Sequence, residues 1–114
     1  MRKRTSGSRR VVVVLVTCPT RTAARRIAAL AVERRFAACV NLIPAVESIF
    51  RWQGKTTRCR ETLLVIKTTA GRFTALKRAI LALHPYDVPE VVALPVTMGH
   101  PSYLSWVVSS VHPA

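Results

Sequence analysis

Three short stretches of this chain, residues 11–16, 63–66 and 91–94, are apolar without interruption. A strand with one wet face alternates apolar and polar residues, because successive side chains point to opposite sides. Unbroken Val, Leu and Ile runs therefore predict strands covered on both faces. Between the runs lie two segments of helical period. Over residues 20–35, Ala23, Ile27, Leu30 and Ala31 share a face while Arg21, Arg25, Arg26, Arg34 and Arg35 ring the others. The Thr20 hydroxyl is placed to cap that helix. Over residues 70–83, Phe73, Leu76, Ile80 and Leu83 line one side, with Thr69 as the expected cap.

Residues 37–52 read as one extended segment, about three times a typical strand. Pro44 interrupts it, which predicts a bulge or an edge there. Gln53-Gly54-Lys55 is a turn, and residues 60–68 form the returning strand of a long hairpin. Two prolines stiffen His84-Pro85-Tyr86-Asp87-Val88-Pro89. A fourth strand follows over residues 90–96. Pro101 opens a final helix, with His100 at its cap and Tyr103, Trp106 and Val107 as anchors. The order βαββαβ plus a C-terminal helix is the ferredoxin-like α+β arrangement with one antiparallel sheet. Its two main helices cover a single face, so the second apolar face and an overhanging hairpin require symmetric partners. That argument predicts self-association without fixing the number of subunits.

With 114 residues, the chain is expected to hold one domain over residues 10–112 behind a disordered basic tail over residues 1–9. The net charge of +13, from 18 Lys and Arg against 5 Asp and Glu, predicts attraction to polyanions. Nucleic acid is expected only as a non-specific electrostatic partner, since the central strands carry Val, Leu and Ile where a base-stacking sheet needs aromatics. No segment reaches the ~20 apolar residues of a membrane span. The six-residue apolar run behind the tail is short for an export signal. Cys18, Cys39 and Cys59 match neither a disulfide framework nor a CxxC metal motif, so reduced thiols and a cytoplasmic location are expected. Arg58 and Arg60 flank Cys59 and are expected to lower its pKa. The four glycines are scattered, no G-x-S-x-G or HExxH occurs, and Asp87 with Glu90 is the one carboxylate pair available; a non-enzyme is expected.

Several stretches carry a family likeness. Val16-Thr17-Cys18-Pro19, Ala37-Ala38-Cys39-Val40-Asn41-Leu42-Ile43-Pro44, Ser48-Ile49-Phe50-Arg51-Trp52-Gln53-Gly54-Lys55, Ile66-Lys67-Thr68-Thr69, His84-Pro85-Tyr86-Asp87-Val88-Pro89-Glu90, Ala93-Leu94-Pro95-Val96 and Tyr103-Leu104-Ser105-Trp106 together resemble the CutA, or divalent-cation tolerance, family. The resemblance implies a compact homotrimer, its sheets packed around a threefold axis and each hairpin gripping a neighbour. It also implies tolerance to copper and other divalent cations, with Cu(II) or another divalent ion as the bound species and no organic cofactor. Of the family's copper ligands, the strand cysteine falls at Val16 and the first histidine at Leu83, leaving His84, with Glu90 or Asp87 as companions. The alternative for His84 is an imidazolium favoured by the negative end of its helix. Lys67, Tyr86, Trp52, Trp106 and Glu90 fall in the same stretches. They suit either a pocket between subunits for a small anion, walled by aromatics around Lys67, or interface anchors with Lys67 paired to Glu90. Cys39 reads as a small buried hydrophobe at that interface. The expected function is a trimeric copper-tolerance protein. A small-molecule signalling trimer and a non-specific nucleic-acid binder are the alternatives.

Overall fold

The computed structural model describes residues 7–112. Its elements are β1 (Val11–Cys18), α1 (Arg21–Glu33), β2 (Cys39–Trp52), β3 (Lys55–Thr69), a 3-10 turn (Ala70–Arg72), α2 (Phe73–Leu83), β4 (Val92–Pro95) and α3 (Pro101–Val111). The first six residues of the expected basic tail lie outside the described residues. Arg10 N–H donates to Gly7 O at 3.2 Å, closing a turn just before β1.

The four strands form one sheet in the order β2-β3-β1-β4, with every pair antiparallel. One face carries Val12, Val14, Val16 and Cys18 from β1 with Leu64 and Ile66 from β3. Against it pack Ile27 and Ala31 of α1 and Leu76 and Ile80 of α2, all buried. The apolar stripe of α1 is rotated from the expected one: Ala24 and Ala28 are buried, while Ala23 and Leu30 are half-buried. Thr20 caps α1 as expected, its hydroxyl accepting from Ala23 N–H at 3.1 Å. The far end of α1 closes in a Schellman motif, with Phe36 N–H donating to Ala31 O at 2.8 Å and Arg35 N–H to Val32 O at 3.1 Å. Arg35 occupies the left-handed position of that motif at φ +60°. A residue with a Cβ costs about 1 kcal/mol there relative to glycine.

The hairpin follows its turn chemistry. Gln53 and Gly54 both have positive φ, +51° and +77°, the two-residue geometry whose twist matches antiparallel strands. Pairing runs from Trp52 opposite Lys55 to Val46 opposite Glu61, then resumes at Ile43 opposite Leu63. Pro44 and Ala45 thus face Thr62 alone, a bulge at the expected proline. β1 stops pairing with β3 at Thr62, so the hairpin beyond Glu61 projects past the sheet and stretches the molecule to 48 × 25 × 23 Å. The returning strand begins at Lys55, earlier than residue 60, because the turn extends its ladder without a break.

Three expectations are corrected. Thr69 precedes the 3-10 turn without a side-chain cap, β4 is limited to Val92–Pro95, and α3 is anchored by Val107 and Val111. Tyr103 and Trp106 lie instead on the outside of α3, 40 % and 46 % exposed, with ring centroids 5.6 Å apart.

Register places three rows on the second face of the sheet: Cys39, Lys67, Val13 and Leu94; Asn41, Val65, Leu15 and Val92; Ile43, Leu63 and Thr17. Ile43, Val92 and Leu94 remain nearly half exposed. α3 packs against β3 and β1, and the apolar face extends beyond it.

Candidate functional site

A cavity of about 620 Å³ opens between the hairpin and the loop that follows α2. The hairpin contributes Ile49, Phe50, Trp52 and Glu61, and the loop contributes Tyr86, Asp87, Val88 and Glu90. Thr17 closes it at the end of β1. Three of the chain's five acidic residues therefore meet at one concavity of a protein carrying +13.

Local structure explains how they are held. Glu61 is the last hairpin residue before the bulge and is only 6 % exposed. Its Oε2 accepts the Tyr86 O–H at 2.8 Å. Burial raises the Tyr86 pKa above that of an ordinary phenol, and the Glu61 carboxylate, as acceptor and as a like charge, raises it further. Tyr86 is in turn set by His84, which is buried. The Nε2 atom of His84 lies 2.7 Å from Thr17 O, and Nδ1 lies 3.1 Å from Tyr86 N. A carbonyl only accepts and an amide N–H only donates, so Nε2 carries the proton and Nδ1 offers its lone pair to Tyr86. The rings of His84 and Tyr86 sit 4.8 Å apart.

Within the protomer this arrangement leaves neither ring nitrogen of His84 open to a metal ion. Both ring nitrogens are occupied by the chain itself, and among the described residues no group of three or more His, Cys, Asp or Glu side chains is gathered to hold an ion. Nor does the ring serve the end of α2: the backbone N–H of His84 bonds Ile80 O at 2.8 Å, and the imidazole turns to β1. Glu90, the companion ligand expected from sequence, lies exposed at the cavity with Asp87.

The expected pocket around Lys67 and Tyr86 is divided within a protomer. Lys67 pairs across the sheet with Val13 and Cys39, whereas the cavity meets β1 at Thr17. Four residues of strand separate these points by about 13 Å. Lys67 Nζ donates to Asn41 Oδ1 rather than pairing with Glu90. Trp52, Tyr86 and Glu90 belong to the cavity, while Lys67 and Cys39 lie on the open sheet face and Trp106 on α3. Burial raises the Tyr103 pKa, with the nearby Cys39 as the second cause.

Glu61 escapes the sequence reading, whereas Cys18 reads there as a reduced thiol. Glu61 is a carboxylate two positions before an unbroken apolar run, and Cys18 is wholly buried beside it. Burial, then the Glu61 charge, pushes the Cys18 thiol up to about 11. Cys59 reverses its expectation: its pKa is raised by desolvation and then by Glu61. Side chains alternate along a strand, so Arg58 and Arg60 point away from the face that Cys59 shares with Glu61.

Similar proteins place this arrangement. The "Divalent-cation tolerance protein CutA" of Thermus thermophilus is 52% identical over 94 residues, covering 82% of this chain and 91% of its own length. "Protein CutA" of Mus musculus is 48% identical over 97 residues, covering 85% of this chain and 55% of its own, so this chain spans about half of the mouse relative. The solved structure of the divalent cation tolerance protein from Thermus thermophilus superposes with a TM-score of 0.83 at 50% identity, over 85% of this chain and 94% of that one. Residues 12–110, from β1 to the last turn of α3, match the family described as CutA1 divalent ion tolerance protein. The split βαβ sheet, the bulged hairpin and the Pro-Tyr loop against it all fall within the matched residues, and the chain belongs to the CutA1 divalent ion tolerance family.

Proposed function

We propose that the chain works in divalent-cation tolerance as a homotrimer, acting by binding rather than catalysis, with the cavity beside Tyr86 as its cation-responsive site. The observation that carries this reading is that Glu61, Asp87 and Glu90 all line one concavity of a strongly basic chain. Carboxylate oxygens suit hard divalent ions, which commonly take one or two protein carboxylates and complete their shell with water. Among the described residues one protomer offers no chelating set for Cu(II), so no step is assigned to a resident copper centre. His84 acts as a positioning residue: it holds Tyr86, and Tyr86 holds Glu61. The cavity's acidity favours a cation over an anion within the protomer. Its aromatic walls, Trp52, Phe50 and Tyr86, make an organic cation the second reading.

The trimer rests on the apolar second face, where Ile43, Val92 and Leu94 stay exposed in one protomer, and on the projecting hairpin. Three free cysteines favour a reducing, cytoplasmic setting.

Calorimetric titration with Cu(II) and with Mn(II) tests the site. The paired substitution Asp87→Asn with Glu90→Gln, both exposed, is expected to weaken binding at least about tenfold without unfolding the chain, the scale of one lost charge-assisted contact. Titrations indifferent to that pair would remove the cavity from consideration. Light scattering on the eluting protein is expected to give three times 12.6 kDa, falling to the single mass for Leu94→Arg. A monomer before substitution sinks the assembly.

A further inference from the structure

The opposite end of β1 carries a second concavity of different chemistry. A cavity of about 880 Å³ lies where the start of β1, the end of α1 and the last turns of α3 meet. Arg9, Arg10 and Arg35 line it together with Val11, Val96 and Leu104, and no Asp or Glu is among its lining residues. Arg35 is the residue held at positive φ in the Schellman motif, a place that glycine fills without strain. Its Nη1 donates to His112 O at 3.2 Å, and its own carbonyl accepts from Arg72 Nε at 3.2 Å. The side chain thus reaches from the end of α1 to the residue that follows α3, and Arg35 is among the residues lining the cavity.

We propose that this cavity binds a phosphorylated small molecule with an aromatic or apolar body. A planar guanidinium matches a phosphate in bidentate fashion, and three of them, with no Asp or Glu among the described lining residues, favour a dianion. The apolar lining then takes the body of the ligand, which inorganic phosphate does not supply. The volume falls within the range of about 300–1,000 Å³ usual for small-molecule sites. Nucleic-acid phosphates share this chemistry, and the apolar part of the lining favours a small phosphorylated molecule over a nucleic-acid backbone. The site is independent of the acidic cavity, since Val11 and Thr17 stand about 20 Å apart along β1.

The test is calorimetric titration of the full chain with phenyl phosphate, inorganic phosphate and a ten-nucleotide oligothymidylate. The expected result is saturable phenyl phosphate binding, one per protomer and tighter than inorganic phosphate. Arg35→Gly should weaken it roughly tenfold or more, the scale of one charge-assisted hydrogen bond. Glycine suits the backbone there, so a loss of binding without loss of thermal stability reads the guanidinium alone. Arg58→Gln, which removes the same charge from the distant hairpin, should leave binding within about twofold, as expected of a screened remote charge. The pair Asp87→Asn with Glu90→Gln should also bind normally, which separates this site from the acidic one. Three results overturn the proposal: no saturable binding, equal weakening by Arg35→Gly and Arg58→Gln, or oligonucleotide binding that phenyl phosphate does not displace.

Discussion

At the scale of single residues, the acidic cavity is held by a relay that runs from Thr17 through His84 and Tyr86 to Glu61. Each link serves a polar group that burial would otherwise strand. Tyr86→Phe removes the hydroxyl that Glu61 receives and is expected to cost about 1–3 kcal/mol in urea unfolding. Cys18 gives a pH dependence of definite sign. Burial keeps its thiol protonated in the folded chain up to about 11, whereas the unfolded chain releases that proton from 9.0 upward. Its contribution to stability is complete below pH 9.0 and declines as pH rises toward about 11. The unfolding free energy should fall across that window, and Cys18→Ala should make the fall shallower. An identical slope in the variant rules out this thiol as the source.

At the scale of elements, turn and cap chemistry govern. Gly54 stands at φ +77° with open space around its missing Cβ, so Gly54→Ala meets no clash and loses only in backbone conformation. A loss of about 1 kcal/mol is expected in thermal or urea unfolding. Local rules of this kind made most elements legible beforehand. Thr20 reads as a cap, Pro44 as a bulge, Gln53-Gly54 as a turn, and the stripe of Leu76 and Ile80 as a buried helix face. The arrangement of the site was less legible, because it depends on register between strands far apart in sequence. The pairing of β1 with β3 sets Lys67 and Tyr86 at different heights within one protomer, a separation that sequence spacing does not reveal. His84 looked available until its loop folded back on Thr17. Cys59 looked activated because proximity in sequence was taken for proximity in space, which strand alternation denies.

At the scale of the whole molecule, charge is distributed unevenly. Arg21, Arg25 and Arg26 on α1 and Arg34 just after it are exposed, while three of the five carboxylates line the cavity beside the hairpin. Binding to DNA or heparin is expected to be non-specific and to weaken steeply between about 50 and 200 mM salt, on the order of 10³-fold for a half-dozen phosphate contacts. Arg25→Gln with Arg26→Gln should reduce the slope of log affinity against log salt by about one to two. Retention unchanged by salt or by the pair would point to a surface other than α1.

The projecting hairpin also bears on the lifetime of the protein. Past Glu61 it is a two-stranded ribbon with no third strand beside it, and such ribbons are marginally stable in water. Its tip at Gln53 and Gly54 is exposed. A subunit without partners therefore presents a protease with a frayed, accessible tip, whereas one whose hairpin is clasped by a neighbour hides it. In the proposed trimer, limited proteolysis is therefore expected to cut dissociated subunits at the tip before assembled ones, and equal rates of cutting would speak against such shelter.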